Sequence, residues 1–187
     1  MQEIITMPAS ARLVTVAELE RMPEAEGKRE LVAGRVVEMS PVGCRHGDAV
    51  LGLGSLLRRH VQRHNLGRVF TEVGFTLRLD PDTVRAPDVA FVRRDRLPTP
   101  LPRGYWQGPP DLAVEVRSPN DRPRDIAVKI DEYLGCGVRI ALVVDPDRRL
   151  VTLHRPGAPA LKLTSRDTLD LSDIVAGFHL TVSEIFE

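Results

Sequence analysis

The sequence is poor in cysteine, aromatic residues and lysine, and it carries no net charge. Its 187 residues include two cysteines, and aromatic residues make up 4% of the chain. Cys44 and Cys136 form neither a metal-binding pattern nor a disulfide framework, which excludes a cysteine-ligated metal module. The balance of 26 basic against 26 acidic residues argues against a protein that coats nucleic acid through its net charge. The scarcity of aromatic rings disfavours an unspecific single-strand binder, which needs stacking platforms.

Long hydrophobic runs are also absent. No stretch approaches the roughly 18 apolar residues of a membrane span. The first residues, MQEIITMPASARL, show no basic region followed by an apolar stretch, so they do not resemble a secretory signal. We therefore expect a cytoplasmic protein with free thiols and no association with a membrane.

What is present fits a soluble globular protein, with 42% hydrophobic and 28% charged residues. The length predicts a single domain over residues 1–187, with an N-terminal extension at 1–27 and a core at about 46–145. Of the 26 basic residues only three are lysines, Lys28, Lys129 and Lys162. Where a lysine persists in so arginine-rich a chain, a specific need for an amine is favoured.

Hydrophobic periodicity and turn residues divide the chain into short elements. Helices are predicted at 15–24, 46–65 and 123–135, and a hairpin is predicted at 29–39 with its turn at Ala33-Gly34. Strands are predicted at 67–80, 85–94, 111–118, 138–146, 148–155, 160–164 and 177–182, followed by a final turn at 182–186. Thr15 and Glu18 have the spacing of a capping box. Gly52 and Gly54 indicate either a weak helix or close packing against it.

The order of these elements predicts an α/β fold. From residue 46 to 145 the chain runs helix, three strands, helix, strand. A helix between the third and fourth strands implies a right-handed crossover and local parallel pairing. The N-terminal hairpin and the C-terminal strands are additions to this core.

Two carboxylates fall in the middle of predicted strands, among apolar neighbours. Asp88 lies in RAPDVAFVRR and Glu115 in DLAVEVRS, where alternation places Asp111, Ala113, Glu115 and Arg117 on one face. Burying an unpaired carboxylate costs several kcal/mol. The pair is therefore expected to hold a cation or a proton between them. Mg²⁺ suits such a site, because it takes hard oxygen ligands from one or two carboxylates.

A metal-dependent nuclease needs a lysine two residues after its second carboxylate, and this chain has Arg117 there. Lys129 is the alternative source of the amine. The apolar stripe of helix 123–135 contains Ile126, Ile130 and Tyr133, and Lys129 falls on the inward margin of that stripe. Because the helix follows the Glu115 strand and packs back over the sheet, this amine is expected to reach the carboxylates.

The segments APDVAFV and DLAVEVRSPN, followed by a helix bearing Lys129, resemble the PD-(D/E)XK nuclease superfamily. RELVAGRVVEMSP and GVRIALVVDP are similar to the hairpin and central strand of one branch, the Uma-type restriction endonucleases. The resemblance covers roughly residues 15 to 186 and implies a restriction-endonuclease-like core. Arg117 departs from the superfamily pattern, and Ile140-Ala141 stands where the branch often has an aromatic pair.

The resemblance implies a set of catalytic roles. Asp88 and Glu115 would bind Mg²⁺ or Mn²⁺ with the backbone carbonyl of Val116. Lys129 would orient or activate the attacking water and stabilise charge on the scissile phosphate. The resemblance further implies DNA as the substrate and a homodimer as the assembly.

Secondary candidates for the site are Glu30, His46 and Arg117. Glu30 and His46 are placed to bridge to metal-bound water, although His46 is also explained as a polar residue at a helix N-terminus. Arg117 is either a same-face partner of Glu115 or a phosphate contact. Asp111 is better explained as a residue at the start of a strand that binds nearby amides.

The functional reading from sequence is a Mg²⁺-dependent endodeoxyribonuclease. The alternative is a catalytically silent protein that keeps the nuclease fold as a nucleic-acid-binding or interaction module. A serine hydrolase is disfavoured, since the chain has no G-x-S-x-G elbow. The proline-rich segment 95–110 predicts a surface loop, whose Tyr105 and Trp106 are expected at a dimer interface or in the DNA cleft.

Overall fold

The computed structural model describes residues 12–23, 27–119 and 121–187. Residues 1–11 and 24–26 of the expected N-terminal extension lie outside these ranges. The helices of the described structure are α1 (Val16–Arg21), α2 (Cys44–Arg63) and α3 (Pro123–Gly135), with 3₁₀ turns at Arg94–Arg96 and Val182–Phe186. Its strands are β1 (Lys28–Val32), β2 (Arg35–Met39), β3 (Gly67–Phe70), β4 (Phe75–Arg78), β5 (Thr83–Arg85), β6 (Val89–Arg93), β7 (Trp106–Gln107), β8 (Leu112–Val116), β9 (Ile140–Asp145), β10 (Leu150–His154), β11 (Leu161–Leu163), β12 (Thr168–Asp170) and β13 (His179–Thr181).

A six-stranded mixed sheet forms the centre, in the order β11-β10-β9-β8-β6-β3. Strands β8 and β9 are parallel, with Ala113 opposite Ala141, and α3 connects them. The predicted α/β core with a helical crossover is therefore confirmed. Strand β6 runs antiparallel to β8 with Val89 opposite Val114, so the next residues along the two strands, Asp88 and Glu115, are cross-strand neighbours.

A second sheet has the order β2-β1-β5-β4-β7 and contains the predicted hairpin. The single strand predicted at 67–80 is wrong, because it divides into β3 in the first sheet and β4 in the second. Glu72 between them has a φ of 55°, which no extended strand allows. The strand predicted at 85–94 corresponds to β6, which begins later, at Val89, while Arg85 is the last residue of β5 in the second sheet.

The two faces of the central sheet are covered differently. Helix α2 packs on one face against Val89, Phe91 and Val114, together with the C-terminal segment. Helix α3 covers the other face through Ile130 and Tyr133. Because β8 and β9 are buried on both faces, they are almost entirely apolar, as their sequence predicts.

The expectation that Trp106 lies at a dimer interface or in the DNA cleft is wrong. Trp106 belongs to β7, is 6% exposed and packs in the core of its own chain. Its ring centroid lies 5.9 Å from that of Phe70 and 6.2 Å from that of Phe75. The segment 95–110 is therefore anchored by a strand pairing with β4 rather than being a free surface loop.

Several local signals in the sequence are confirmed. Thr15 and Glu18 form the capping box of α1, and Ala33 and Gly34 turn the hairpin with φ values of 48° and 74°. Pro123 occupies the first turn of α3. Among the described residues, no helix combines the length and apolar character that crossing a membrane requires.

Gly52 marks close packing on α2. A Cβ built on Gly52 would lie 2.2 Å from the carbonyl oxygen of Ile185, in the C-terminal 3₁₀ turn. The same construction on Gly47, one turn earlier on the helix, meets no atom within 4 Å. The two glycines therefore have opposite roles, although both lie inside the same helix.

We predict that Gly52→Ala lowers the free energy of unfolding by about 1–3 kcal/mol, because the added methyl group must displace backbone. Gly47→Ala is the matched control and should raise it by up to about 1 kcal/mol, since alanine favours a helix and the space is open. Urea unfolding followed by circular dichroism measures both changes. Equal effects of the two substitutions would contradict the close packing.

Candidate functional site

Five of the predicted site residues, His46, Asp88, Glu115, Val116 and Lys129, line one cleft of about 840 Å³, whereas Glu30 and Arg117 do not line it. The cleft lies where the ends of β6 and β8 meet α3, the N-terminus of α2 and the first strand of the hairpin sheet. Lys28, His46, Asp88, Glu115, Val116 and Lys129 all contribute to its lining. The sequence positions of these residues span a hundred residues, so the fold rather than local sequence brings them together.

Asp88 directly precedes β6 and is 6% exposed. Its Oδ2 accepts a hydrogen bond of 2.7 Å from the backbone N–H of Val116 and lies 3.3 Å from Nε2 of His46. Its Oδ1 lies 3.0 Å from Nζ of Lys28. The carboxylate is therefore oriented by β8 and neutralised by a lysine from the other sheet.

Glu115 is 7% exposed, and both of its oxygens are bonded to α3. Oε2 lies 3.1 Å from Nζ of Lys129, and Oε1 accepts a 2.7 Å hydrogen bond from the hydroxyl of Tyr133. Burial raises the pKa of Glu115, Lys129 opposes that rise, and the nearby Asp88 adds to it. Tyr133 was not a site candidate in the sequence, where it counted only as part of the apolar stripe.

Lys129 points inward, as its position on the margin of the helical stripe predicts. Its Nζ lies between Glu115 and Glu30, 3.1 Å from the first and 3.3 Å from the second. Burial lowers the pKa of Lys129, but these two carboxylates outweigh burial and hold the pKa above its ordinary value. The amine therefore carries its proton at neutral pH.

Glu30 lies at the centre of a buried ionic network and is 1% exposed. Oε2 accepts a 2.7 Å bond from Arg85, and Oε1 accepts a 3.1 Å bond from the backbone N–H of Ala86. Arg85 is also paired with Glu132 on α3 at 2.5 Å. Burial raises the pKa of Glu30, but Lys129 and Arg85 outweigh it and lower the pKa to about 2.

Lys28 belongs to the site and was missed. Its side chain is 16% exposed and forms the ion pair with Asp88. Burial lowers the pKa of Lys28, and the charges of Asp88 and Glu115 outweigh burial and raise it. Two signals could have found it. Lys28 is one of only three lysines, and it lies two residues from Glu30 on the same face of a strand.

His46 lies in the first turn of α2 and is 5% exposed. Its Nε2 faces Asp88, while Nδ1 has no hydrogen-bond partner among the described residues.

Arg117 takes a different partner from the one expected. It lies 2.8 Å from Asp145 at the end of β9 rather than beside Glu115.

Asp111 lies outside the cleft, as its explanation as a strand-start residue predicts. Its Oδ2 accepts a 2.9 Å bond from the backbone N–H of Arg93 and pairs with Arg96.

The carboxylates in the cleft already have cationic partners. Glu30, Asp88 and Glu115 face Lys28, Lys129 and Arg85 within ion-pair distance, and Arg85 is shared with Glu132. The expectation of a cation or a proton at the two carboxylates is supported by the ammonium groups of Lys28 and Lys129, each of which pairs with one of them.

The donor atoms suit a hard divalent cation. Two carboxylates and a backbone carbonyl are oxygen ligands, and Mg²⁺ commonly uses one or two carboxylates and completes its shell with water and substrate phosphate. Among the described residues, no group of three or more His, Cys, Asp or Glu side chains forms a metal cluster. A zinc site built from nitrogen and sulfur ligands is therefore not indicated there.

Comparisons with known proteins agree with the fold and with the family that the sequence resembles. A family model described as "Uma2: Putative restriction endonuclease" matches residues 16–183. The crystal structure of "a putative nuclease belonging to DUF820 from Anabaena variabilis" is similar with a TM-score of 0.82 and 20% sequence identity. That match covers 92% of this chain and 97% of the other. None of the curated proteins compared matches the chain.

We predict that Glu30 stabilises the fold in a pH-dependent way. Its pKa is about 2 in the folded chain, below the ordinary value of 4.5. The stabilisation is therefore fully present above about pH 4.5 and is lost as the pH falls toward 2. Glu30→Gln should lower the free energy of unfolding by up to about 3 kcal/mol at pH 7, and this deficit should shrink below pH 4.5.

Urea unfolding at a series of pH values measures the deficit. Glu38→Gln is the matched control, because Glu38 is an exposed glutamate on the neighbouring strand β2. Its substitution should have a small effect at every pH. A Glu30→Gln deficit that stays constant from pH 7 to pH 3 would contradict the network.

Proposed function

This chain belongs to the Uma2 family, and on that premise we propose that it is a divalent-cation-dependent endonuclease that hydrolyses DNA phosphodiester bonds. The single observation that carries the proposal is the meeting of Asp88, Glu115 and Lys129 in one cleft. A protein without this chemistry has little reason to bury two carboxylates beside a relocated lysine. Each buried charge needs a partner of opposite sign, and removing such a set of charges from water costs free energy of folding.

We assign the metal ligands as Asp88, Glu115 and the backbone carbonyl of Val116. Mg²⁺ or Mn²⁺ bound there would polarise the scissile phosphate and lower the pKa of the attacking water. The 2.7 Å bond from the Val116 N–H to Asp88 fixes one carboxylate relative to β8. The Tyr133 hydroxyl fixes the other by holding Oε1 of Glu115.

Lys129 acts as a positive charge rather than as a base. In the metal-free cleft, Glu115 and Glu30 raise the pKa of this amine. Glu30 is not a proposed metal ligand and would still contact the amine when Glu115 binds a cation, so we expect the amine to keep its proton. It would donate hydrogen bonds to a non-bridging phosphate oxygen and stabilise the negative charge that develops there. Glu30 and Arg85 position the amine, since Glu30 contacts both Lys129 and Arg85.

Lys28 supplies a second positive charge on the Asp88 side of the cleft. With a cation held by the carboxylates, the Lys28 ammonium would no longer be needed to neutralise Asp88 and would be available to the phosphate. His46 would bridge through Nε2 to a water molecule near Asp88.

Because the carboxylates of the cleft already have cationic partners, we expect the substrate phosphate to assist the binding of the metal ion. The three acids Glu30, Asp88 and Glu115 already pair with the two lysines and with Arg85, which also pairs with Glu132. A divalent cation entering alone would leave an excess of positive charge in a partly desolvated cleft. A phosphate group entering with it removes that excess, so metal and substrate are expected to bind cooperatively.

A second candidate function is a catalytically silent protein that keeps the nuclease fold as a nucleic-acid-binding or interaction module. The observation that favours it is that each site carboxylate already has an ammonium partner, so the fold is stable without a metal ion. We further propose that the chain acts as a homodimer, as the family resemblance implies. From its length and composition we also propose that it is a single domain and cytoplasmic.

The metal site and the role of Lys129 can be tested together. We predict that Glu115→Gln abolishes Mn²⁺ binding in a calorimetric titration and leaves the fold intact. Lys129→Met should keep Mn²⁺ binding and lower the rate of plasmid cleavage about 10²- to 10³-fold, because it removes charge stabilisation only.

Lys162→Met is the matched control, since Lys162 is exposed on β11 and lies outside the cleft. It should bind metal and cleave like the parent. Mn²⁺ binding by Glu115→Gln at the parental affinity would place the metal site elsewhere. Absence of cleavage by the parent protein with Mg²⁺ and Mn²⁺ would favour the silent module.

Lys28 makes a distinct prediction. Lys28→Met should tighten Mn²⁺ binding, because the ammonium that competes for Asp88 is gone, and should still lower the cleavage rate at least about tenfold. Lys28→Arg should recover part of the rate, since the guanidinium keeps the charge. If Lys28→Met binds Mn²⁺ more weakly than the parent, the ion pair supports the metal site rather than competing with it.

A further inference from the structure

A second cavity of about 790 Å³ follows the outer edge of the central sheet. We call it the β3 groove. It lies between the C-terminal half of α2, strand β3 and the segment 97–101. The polar side chains that line it are Arg58, Gln62, Asn65, Arg68, Thr99 and Arg94. None of these residues belongs to the cleft that holds Asp88 and Glu115.

The β3 groove is basic in a chain whose formal charge is zero. Three of its lining residues, Arg58, Arg68 and Arg94, are exposed, and no carboxylate lines it. None of the three lies within ion-pair distance of a carboxylate in the described part of the chain. Arg94 instead donates to the side-chain oxygen of Asn65.

Some surface arginines are neutralised by a carboxylate: Arg45 pairs with Asp147, and Arg155 pairs with Asp173. The groove differs in that three arginines without such a partner line one cavity. Together they form a local positive field, which attracts a polyanion.

The groove also runs along an open sheet edge. In the described structure β3 pairs with β6 alone, so its other edge offers backbone N–H groups to a ligand. A second copy of the chain pairing through this edge would bring arginine against arginine. Like charges disfavour that pairing, whereas a phosphate backbone satisfies both the arginines and the amides.

The groove lies close to the catalytic cleft along the chain. Phe70 lines the groove, and Glu72 and Gly74, two and four residues further on, line the cleft. Along the sheet, Phe70 lies opposite Ala90 and Gly67 lies opposite Arg93. The groove thus lies two to five residues beyond Asp88 along β6, roughly 7–17 Å at the rise of a strand. That span corresponds to about two to five phosphates of one DNA strand.

From these observations we propose that the β3 groove binds the sugar–phosphate backbone of DNA on one side of the site of cleavage, through Arg58, Arg68 and Arg94. This inference rests on the proposed function, since it takes the ligand to be the substrate strand that continues out of the cleft. The contacts are to phosphate, so they add affinity and fix the register of the strand without reading its sequence.

The test measures binding without catalysis. A fluorescein-labelled 20-base-pair DNA duplex is titrated with protein in the presence of EDTA, and anisotropy is recorded at several salt concentrations. The variant replaces Arg58, Arg68 and Arg94 with Gln. Its affinity should fall about tenfold or more, and the slope of log affinity against log salt should become shallower by about 2–3, near 0.9 for each lost phosphate contact.

A matched control replaces three exposed arginines outside the groove and the cleft, Arg59, Arg139 and Arg166, with Gln. This control has the same change in net charge and should bind with nearly the parental slope. Thermal unfolding of both variants verifies that they are folded. Parental affinity and slope in the groove variant, or equal losses in the groove variant and the control, would overturn the proposal.

Two further measurements separate this inference from its alternatives. If sedimentation shows that the groove variant alone changes its oligomeric state, the occupant is a second copy and the proposal is overturned. The cleavage assay of the parent with Mg²⁺ tests the proposed function independently. A parent that binds DNA through the groove without cutting it would retain this proposal and reject the nuclease. If the parent cuts DNA while the groove variant binds DNA normally, the nuclease is retained and the groove proposal is rejected.

Discussion

The matching of buried carboxylates with buried cations is the constraint on which the rest of the structure depends. Glu30, Asp88 and Glu115 are each at most 7% exposed, and each has an ammonium or guanidinium partner within 3.3 Å. Removing one partner of such a pair leaves a charge without compensation and costs about 3–5 kcal/mol. These pairs join β1, the start of β6, β8 and α3, so the elements around the cleft cannot separate without breaking them.

The same matching explains how a lysine on a helix comes to pair with a strand carboxylate. Nζ of Lys129 reaches Glu115 because α3 directly follows β8 and returns over it, and Tyr133 bonds the same carboxylate one turn further along. The position two residues after Glu115 is occupied by Arg117, which pairs with Asp145 on the neighbouring strand. The arginine side chain at this position therefore pairs away from the two site carboxylates, and its ion pair connects the end of β8 to the end of β9.

The sequence predicted the site residues whose positions follow from the repeat of a single strand or helix. The alternation of β8 placed Glu115 on its face, the helical stripe of α3 placed Lys129 inward, and both predictions rest on neighbours within about twenty residues. Lys28 was missed because it reaches Asp88 from the second sheet, and no local pattern encodes which sheet a strand joins. The division of the strand predicted at 67–80 has the same cause, since Phe70 and Phe75 enter different sheets through a turn at Glu72. Trp106 was misplaced because proline-rich sequence predicts a loop, whereas packing against Phe70 and Phe75 decided its burial.

The contact between Gly52 and Ile185 bears on the order in which the chain folds as it is synthesised. Helix α2 is synthesised well before Val182 and Ile185, on which part of its buried face rests. Ribosomes add roughly 5–20 residues per second, so this face waits on the order of ten seconds for its partner. During that interval the apolar surface of α2 that these residues cover stays exposed. The core is therefore completed only after Ile185 has been synthesised.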